Sequence, residues 1–146
     1  MTREDLAARF ARVTRRLAAA EHPVLDRYGL SMWQYIVLTH LAKEAARTQL
    51  ALAQAIGYDK TRLIALLDDL ERRALIVRAP DPTDRRARTI ALTQSGAQLH
   101  AVTQRDIHAI EDQLLNALQI TERDALHIAL STLDQHSGAP HRPPYR

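Results

Sequence analysis

Apolar residues recur along most of the chain at the three- and four-residue spacing that is typical of amphipathic helices. Before residue 48 this pattern predicts two helices, the first capped by Thr2 and the second opening on a capping box formed by Ser31 and Gln34. Pro23 and Gly29 are expected to break or redirect the first helix. The apolar stripe of the first helix consists of Leu6, Phe10, Val13 and Leu17.

The stretch from residue 48 to residue 92 has the most specific pattern, because two short helices are followed at once by two strands. Thr48 is predicted to cap the first of these helices, and Gly57 supplies the left-handed residue that ends it. Asp59 is predicted to cap the second helix, which ends near Arg72 and Arg73. The predicted buried stripes are Leu50, Ala53 and Ile56, then Leu63, Leu66, Leu67 and Leu70.

Alternating apolar and polar residues predict a β-hairpin after the second short helix. The strands cover residues 75–78 and 88–92, and the turn covers Pro80–Asp84, where proline restricts the backbone. Three arginines, Arg85, Arg86 and Arg88, lie at the tip of the hairpin. Residues 48–92 therefore predict a helix-turn-helix followed by a two-stranded β wing.

The helical spacing returns after the wing. Thr93 is predicted to cap a long helix that runs to about Leu118, and Thr121 with Asp124 starts a last helix that runs to about Gln135. The fold class is therefore mainly α, with one domain over residues 1–136. Within it, residues 30–92 form the winged helix-turn-helix, residues 1–29 and 93–136 form flanking dimerisation helices, and the proline-rich tail 137–146 is predicted to be disordered.

Composition limits the possible functions. The chain has 146 residues and no cysteine, which excludes disulfides and thiolate metal sites. No apolar run approaches the ~20 residues that span a membrane, and no signal peptide is evident, so we expect a cytoplasmic protein. The net charge of +3 is weak evidence for a polyanionic partner, but the arginines cluster between residues 72 and 88. That cluster predicts a phosphate-facing surface.

These features favour DNA binding. In helix-turn-helix proteins the first residues of the second helix, called the recognition helix, contact base edges, and here Thr61 and Arg62 are expected to point outward. Arginines at the wing suit a narrow minor groove. Solvent exposure alone remains the alternative for Arg62 and Lys60, and a simple turn role remains the alternative for Asp84. The candidate DNA-contacting residues are Thr48, Gln49, Lys60, Thr61, Arg62, Asp84, Arg85, Arg86 and Arg88.

The flanking helices offer more apolar surface than the small winged core can cover. The simplest explanation is a homodimer in which these helices pack against their symmetry mates. A two-fold dimer would place its recognition helices about 34–36 Å apart, which predicts a palindromic operator in double-stranded DNA.

Three segments resemble the MarR family of bacterial winged-helix transcription regulators: LSMWQYIVLTHLA, TQLALAQAIGYDKTRLIALLDDLERRALI and DPTDRRARTIALTQSG. The resemblance implies a dimeric DNA-binding repressor, often released by a small phenolic or aromatic effector. It also implies that Asp84 orients Arg86 for the minor groove. The candidate effector-binding residues are Thr14, His22, Met32 and Trp33.

The chain departs from the family pattern after the recognition helix, where it has Ala74 in place of the usual glycine. A left-handed alanine costs roughly 1–2 kcal/mol, so a different local geometry is expected at this turn.

Three other functions fit the sequence less well. An enzyme is disfavoured because the chain has no phosphate-binding glycine loop, nucleophile elbow or HExxH motif. A winged-helix protein-interaction module without specific DNA binding is disfavoured by the arginines. A metal-responsive regulator would use His100, His108 and Asp112, but no tight cluster of three ligands is apparent, and no metal or other cofactor is expected.

Overall fold

The structure is a computed structural model that describes residues 3–136. Thr2, the predicted cap, and residues 137–146, the predicted disordered tail, lie outside this range. The predicted mainly helical fold with a two-stranded antiparallel sheet is confirmed. Its elements are α1 (Leu6–Arg27), α2 (Met32–Lys43), α3 (Gln49–Ile56), α4 (Lys60–Arg72), β1 (Ile76–Pro80), β2 (Arg88–Leu92), α5 (Gln94–Leu115) and α6 (Ile120–His136).

Backbone contacts divide the described chain into two compact units. The helical unit contains residues 3–29 and 103–136, and the winged unit contains residues 30–102, so α5 contributes to both. The assignment of residues 1–136 to a single domain stays a prediction. In the part of the chain that the structure describes, no helix combines the length and the apolar character needed to cross a membrane.

The core of the winged unit lies between the helix-turn-helix and one face of the hairpin. β1 and β2 pair in antiparallel register, with Arg78 opposite Ile90, and Ala46 adds an isolated bridge to Ile90 through two backbone hydrogen bonds of 2.9 and 2.8 Å. β1 begins one residue later than predicted, and Pro80 is its last residue rather than the start of the turn. The fully buried residues are Val37, Leu38, Leu52, Leu63, Leu67, Leu70, Ile76 and Ile90.

One predicted core position in α3 is wrong. Leu50 is 47% exposed, whereas Leu52 is fully buried beside Ala53. Both leucines fit a helical stripe with Ala53 and Ile56, and α3 has only eight residues, so the spacing alone does not distinguish them. Packing against the rest of the winged unit selects Leu52.

The turn after α4 keeps the geometry that glycine would supply, so the expected departure is wrong. Ala74 has a φ of 57°, in the left-handed region. The Leu75 N–H donates to the Leu70 carbonyl and the Ala74 N–H donates to the Glu71 carbonyl, both at 2.9 Å, which is the Schellman arrangement. Leu70 and Leu75 are both buried. These bonds and this burial offset the cost of about 1–2 kcal/mol for a left-handed alanine.

The Leu-Thr-x-x-Gly segment joins the wing to α5. Thr93 caps α5 as predicted, because its Oγ1 accepts from the Gly96 N–H at 3.0 Å. The same hydroxyl donates to the Ala74 carbonyl at 2.6 Å, and the Thr93 N–H donates to the Leu75 carbonyl at 3.1 Å. A Cβ at position 96 would lie 1.9 Å from the Leu75 carbonyl oxygen. Only glycine therefore lets the start of α5 approach the turn after α4 this closely.

Of the predicted break or redirection of the first helix, a break at Pro23 is wrong. The helix continues through it to Arg27, and Gly29, with a φ of 66°, follows the end. An interior proline costs about 3 kcal/mol or more through its missing donor and ring clash. Val24 and Leu25, which follow directly, are buried at 3% and 0% exposure, and each such burial contributes about 1.5–3 kcal/mol. Packing of the helical unit thus offsets the cost of the proline.

The ends of the flanking helices differ from the predictions by a few residues. Asp5 is the N-cap of α1 but makes no side-chain capping bond. α5 ends at Leu115 rather than near Leu118. α6 begins at Ile120, and the carboxylate that closes its first turn is Glu122, which accepts from the Gln119 N–H at 2.8 Å. The predicted start from Thr121 and Asp124 is therefore displaced, although the capping chemistry is of the expected kind.

Glu21 on α1 has an unusual environment in the helical unit. Partial burial, and after it the neighbouring Glu111 carboxylate of α5, together raise the pKa of its carboxyl group from 4.5 to about 7. Between these two pH values the folded chain holds a proton at Glu21 that the unfolded chain releases. The stabilising contribution is complete below pH 4.5 and is lost as the pH rises through about 7.

We predict that Glu21→Gln flattens the pH dependence of folding and makes the variant more stable than the wild type at about pH 8. The reason is that glutamine stays neutral at about pH 8, whereas the partly buried Glu21 carboxyl group becomes charged. Urea unfolding at about pH 5.5 and about pH 8 measures this difference at one protein concentration. Glu44→Gln, at an exposed position, is the control. Equal pH slopes for wild type and Glu21→Gln would contradict the assignment.

Candidate nucleic-acid interface

The first turn of α4 presents the predicted base-contacting residues to solvent. Asp59 caps the helix as predicted, since its Oδ1 accepts from the Arg62 N–H at 2.8 Å. Leu63 and Leu67 are fully buried on the opposite side of the helix. Burial of this stripe orients α4, so that the side chains of its first turn point away from the core. The exposed residues are Lys60, Thr61 and Arg62.

The start of α3 contributes a second group of candidates. Thr48 caps this helix as predicted, with its Oγ1 accepting from the Ala51 N–H at 2.9 Å. Gln49 is half-buried in the first turn. Arg47, which is exposed just before the cap, lies close enough to the wing to help lower the pKa of Asp81, after the larger effect of hydrogen bonds from Thr83. Sequence reasoning missed Arg47 because it lies outside every helix and strand.

The wing tip, residues 81–87, is folded by its two acids. Asp81 Oδ1 accepts from the N–H and the hydroxyl of Thr83, at 2.8 and 2.7 Å. Asp84 Oδ1 accepts from the backbone N–H of Arg86 at 2.9 Å. Within residues 3–136, Asp84 forms no salt bridge with an arginine. The acid therefore shapes the turn and leaves the guanidinium groups of Arg85 and Arg86 exposed.

Arg78 is not part of the phosphate-facing surface that the arginine cluster predicted. Its side chain is only 10% exposed, and it bonds Glu71 Oε2 at 2.9 Å and Asp68 Oδ1 at 2.5 Å. Both acids lie on α4, so Arg78 connects the wing to the recognition helix. The hydrogen bond from Arg78 lowers the pKa of Glu71.

Arg72 and Arg73 also have internal partners, because both pair with Asp69 on α4. Asp69 in turn accepts from Gln34 Nε2 at 2.7 Å. Gln34 is buried and closes the predicted capping box of α2, since its Oε1 accepts from the Ser31 N–H at 3.0 Å. The exposed positive charge of the cluster is therefore concentrated at Arg85, Arg86 and Arg88.

The four candidate effector-binding residues belong to different units. Thr14 is half-buried on α1, and His22 is exposed with its Nε2 3.4 Å from Asp26 Oδ2. Met32 and Trp33 are half-buried in the first turn of α2. Their role in effector binding stays a prediction.

The histidine that would anchor a metal site has a different environment from the one such a site needs. His100 is buried, its Nε2 lies 3.0 Å from Thr39 Oγ1, and its ring stacks on Tyr35 with centroids 5.6 Å apart. Residues 3–136 contain no cluster of three His, Cys, Asp or Glu side chains that could hold a metal ion.

A sequence model of the MarR family matches residues 28–87. The transcriptional repressor CouR, solved bound to a 23-mer DNA duplex, is 30% identical, and the match covers 89% of this chain and 92% of that one with a TM-score of 0.79. The chain belongs to the MarR family.

A MarR-family transcriptional regulator from Rhodococcus sp. RHA1 is 25% identical, with 90% of this chain and 97% of that chain covered and a TM-score of 0.77. NadR, solved in complex with 4-hydroxyphenylacetate, is 19% identical, with 94% and 97% covered and a TM-score of 0.77, and shares the fold. As a member of the MarR family, the protein is a DNA-binding transcription regulator.

Two further residues, Ile64 and Tyr58, lie beside the candidate DNA-contacting residues but were not among them. Ile64, one residue outside the core stripe of α4, is 41% exposed beside the candidate base-contacting residues. Its exposure follows from the same helical spacing that buries Leu63 and Leu67, so the sequence pattern could have predicted it. Tyr58, in the turn before α4, contacts Arg62 through its ring. No local pattern indicates that contact, because it depends on how the turn folds.

Proposed function

We propose that the protein is a homodimeric, sequence-specific transcriptional repressor that binds a palindromic operator. α4 enters the major groove and the wing tip enters the minor groove. One observation carries the proposal: the cap end of α4 and the wing tip both expose basic side chains, while the neighbouring arginines are neutralised by α4 acids. The DNA-bound structure of CouR, its 30% identical relative, supports it.

Arg62 is the main base-contacting residue of the proposal. It is exposed in the first turn of α4, and a guanidinium can bond guanine O6 and N7 together. Thr61 and Ile64 supply a hydroxyl and an apolar contact on the same exposed side, and an apolar side chain there suits a thymine methyl group. Lys60, Thr48 and Gln49 are assigned to the phosphates that flank these bases.

Arg85, Arg86 and Arg88 are assigned to the minor groove and its phosphates. Arg85 and Arg86 form no ion pair within the described part of the chain, so their charges remain available to DNA. Asp84 assists by bending the backbone at Arg86, rather than by pairing with its guanidinium.

Dimerisation is supported by the apolar side chains that the helical unit leaves exposed. Leu6, Phe10 and Val13 form one stripe on α1 and are 54%, 46% and 49% exposed. α6 has no buried residue, and Ile120 and Ile128 are 78% and 67% exposed. Exposed apolar surface of this extent on a soluble chain marks an interface. A second copy is the occupant that fits a regulator of two-fold symmetric DNA.

A small aromatic effector that releases the repressor completes the proposal. NadR, which shares the fold, has been solved with an aromatic carboxylate, 4-hydroxyphenylacetate. The half-buried Met32 and Trp33 of the winged unit are suitable apolar contacts for such a molecule. A winged-helix interaction module without specific DNA binding is the alternative that the following experiments distinguish.

We predict that Arg62→Ala lowers affinity for an inverted-repeat operator about 5- to 150-fold, the equivalent of about 1–3 kcal/mol for a bidentate base contact. Affinity for unrelated duplex DNA should fall far less. Fluorescence anisotropy with both DNAs at one salt concentration measures the two losses. Arg105→Ala, which removes an exposed arginine from α5, is the matched control. Equal losses on both DNAs would remove Arg62 from base contact.

We predict that Arg86→Ala weakens binding to every duplex and flattens the dependence of log affinity on log salt by about one unit. The reason is that each phosphate contact releases about one counterion. Titrations between about 50 and about 200 mM salt measure the slope. An unchanged slope would contradict the placement of Arg86, and a protein-interaction module would show no phosphate-dependent binding at all.

We predict that the protein sediments as a dimer at micromolar concentration and that Phe10→Glu shifts it toward the monomer, because the charge enters the α1 stripe. Ala11→Glu is the control, since this exposed position lies about 140° from Leu6 around the helix. Analytical ultracentrifugation measures both masses. A folded, monodisperse wild-type monomer would refute the dimer.

A further inference from the structure

Three side chains from separate elements of the winged unit form a continuous stack that ends at the base-contacting arginine. The rings of Trp33, on α2, and Tyr58, in the turn before α4, have centroids 4.4 Å apart at 35°. The Arg62 guanidinium carbon lies over the Tyr58 ring, 5.5 Å from its centroid. Both rings are half-buried, whereas Arg62 is exposed. The aromatic pair therefore places the Tyr58 ring beside the exposed guanidinium of Arg62.

The backbone of Tyr58 lies between the turn that ends α3 and the cap that begins α4. Gly57, with a φ of 67°, reverses the chain, and the Tyr58 N–H donates to the Ala53 carbonyl at 2.9 Å. Asp59, the next residue, caps α4. The backbone of Tyr58 is thus fixed between a helix end and a helix start.

Trp33 is held from the other side. It follows Ser31 and precedes Gln34, the two residues of the α2 capping box, and Gln34 Nε2 also bonds Asp69 of α4 at 2.7 Å. The start of α2 is therefore attached to the recognition helix independently of the stack. The Trp33 ring packs against Tyr58 from this attached helix start, so Tyr58 has contacts at both its backbone and its ring.

We propose that Tyr58, supported by Trp33, is a positioning residue that orients Arg62 for base contact. The proposal rests on the base-contacting role of Arg62 proposed above. A free arginine side chain has rotamer entropy that is lost when the side chain is ordered. A guanidinium within about 6 Å of a ring gains about 0.5–1 kcal/mol at an exposed site. The stack thus lowers the ordering cost before DNA arrives, and restricts the plane of a group that must bond two guanine atoms together.

Two other roles for Tyr58 make different predictions. If its hydroxyl group bonded a DNA phosphate, Tyr58→Phe would lose as much affinity as Tyr58→Leu, and the loss would be equal on any duplex. If the ring held Arg62 away from DNA, Tyr58→Leu would strengthen operator binding. A positioning role predicts that the ring matters, that the hydroxyl does not, and that the effect disappears without Arg62.

A double-mutant cycle tests these outcomes. We expect Tyr58→Leu to lower the ratio of operator to unrelated-duplex affinity about two- to fivefold, the equivalent of about 0.5–1 kcal/mol. Tyr58→Phe should leave the ratio unchanged, and Tyr58→Leu combined with Arg62→Ala should equal Arg62→Ala alone. Circular dichroism establishes that each variant folds, and Trp33→Leu replaces Tyr58→Leu if the latter does not. Additive losses, or a ratio unaffected by removal of the ring, would overturn the proposal.

Trp33 provides a second measurement, because it is the single tryptophan of the chain. Its emission reports the stack directly, and we expect operator DNA to change that emission in the wild type and in Tyr58→Phe. In Arg62→Ala the change should be absent at DNA concentrations that saturate binding. An identical change in Arg62→Ala would overturn the coupling of Trp33 to Arg62.

The two proposals fail separately. If Arg62→Ala lowers affinity for operator and for unrelated DNA equally, Arg62 does not contact bases. The positioning role of Tyr58 is then also wrong. If Arg62→Ala loses only operator affinity while Tyr58→Leu has no effect, Arg62 contacts bases without help from the stack.

Discussion

The position of the wing depends on one backbone junction, where the end of α4, the start of β1 and the first turn of α5 meet. Ala74 reverses the chain in a left-handed conformation, and the hydroxyl of Thr93 bonds its carbonyl group. The absence of a side chain at Gly96 lets α5 approach Leu75. Because the hairpin leaves α4 at this point, the backbone geometry of the junction sets the direction in which the hairpin starts.

Salt bridges between β1 and α4 also hold the wing in place. Arg78 ties β1 to Asp68 and Glu71 of α4, so the wing and the recognition helix are connected a second time, beyond the turn. Arg73, at the end of α4, pairs with Asp69 of the same helix. These acids neutralise the basic residues nearest the core and leave those at the wing tip exposed. A chain with a net charge of only +3 thereby presents a strongly basic edge, because the distribution of charge matters more than its sum.

The two units bury their apolar residues very differently. In the winged unit Leu63, Leu67 and Leu70 of α4 are fully buried, whereas Leu66, which was also predicted to be buried, is half-buried. In the helical unit α1 buries only Val24 and Leu25, and α6 buries no residue. The uncovered apolar faces therefore belong to the helical unit, which is where the proposed dimer would bury them.

Local chemistry made much of the fold predictable. Ser31, Thr48, Asp59 and Thr93 cap helices as expected, because each bond joins a side chain to a backbone group three residues away. The stripe of α4 was predictable for the same reason, since a helix of thirteen residues leaves one consistent inner face. With the cap and the stripe known, the exposure of Thr61 and Arg62 followed, and so did most of the candidate interface.

The tertiary structure decided the points where local preferences conflict or are silent. Leu52 rather than Leu50 is buried, and α1 passes through Pro23, because residues distant in sequence supply the packing that selects one alternative. At the candidate interface, too, the contacts of Arg78 with Glu71 and of Tyr58 with Arg62 are made to side chains of α4. Sequence by itself determined which residues cap, alternate and repeat, since those interactions span a few residues. Which charges are neutralised, and that the Trp33 ring supports Tyr58, depended on the folded chain bringing distant segments together.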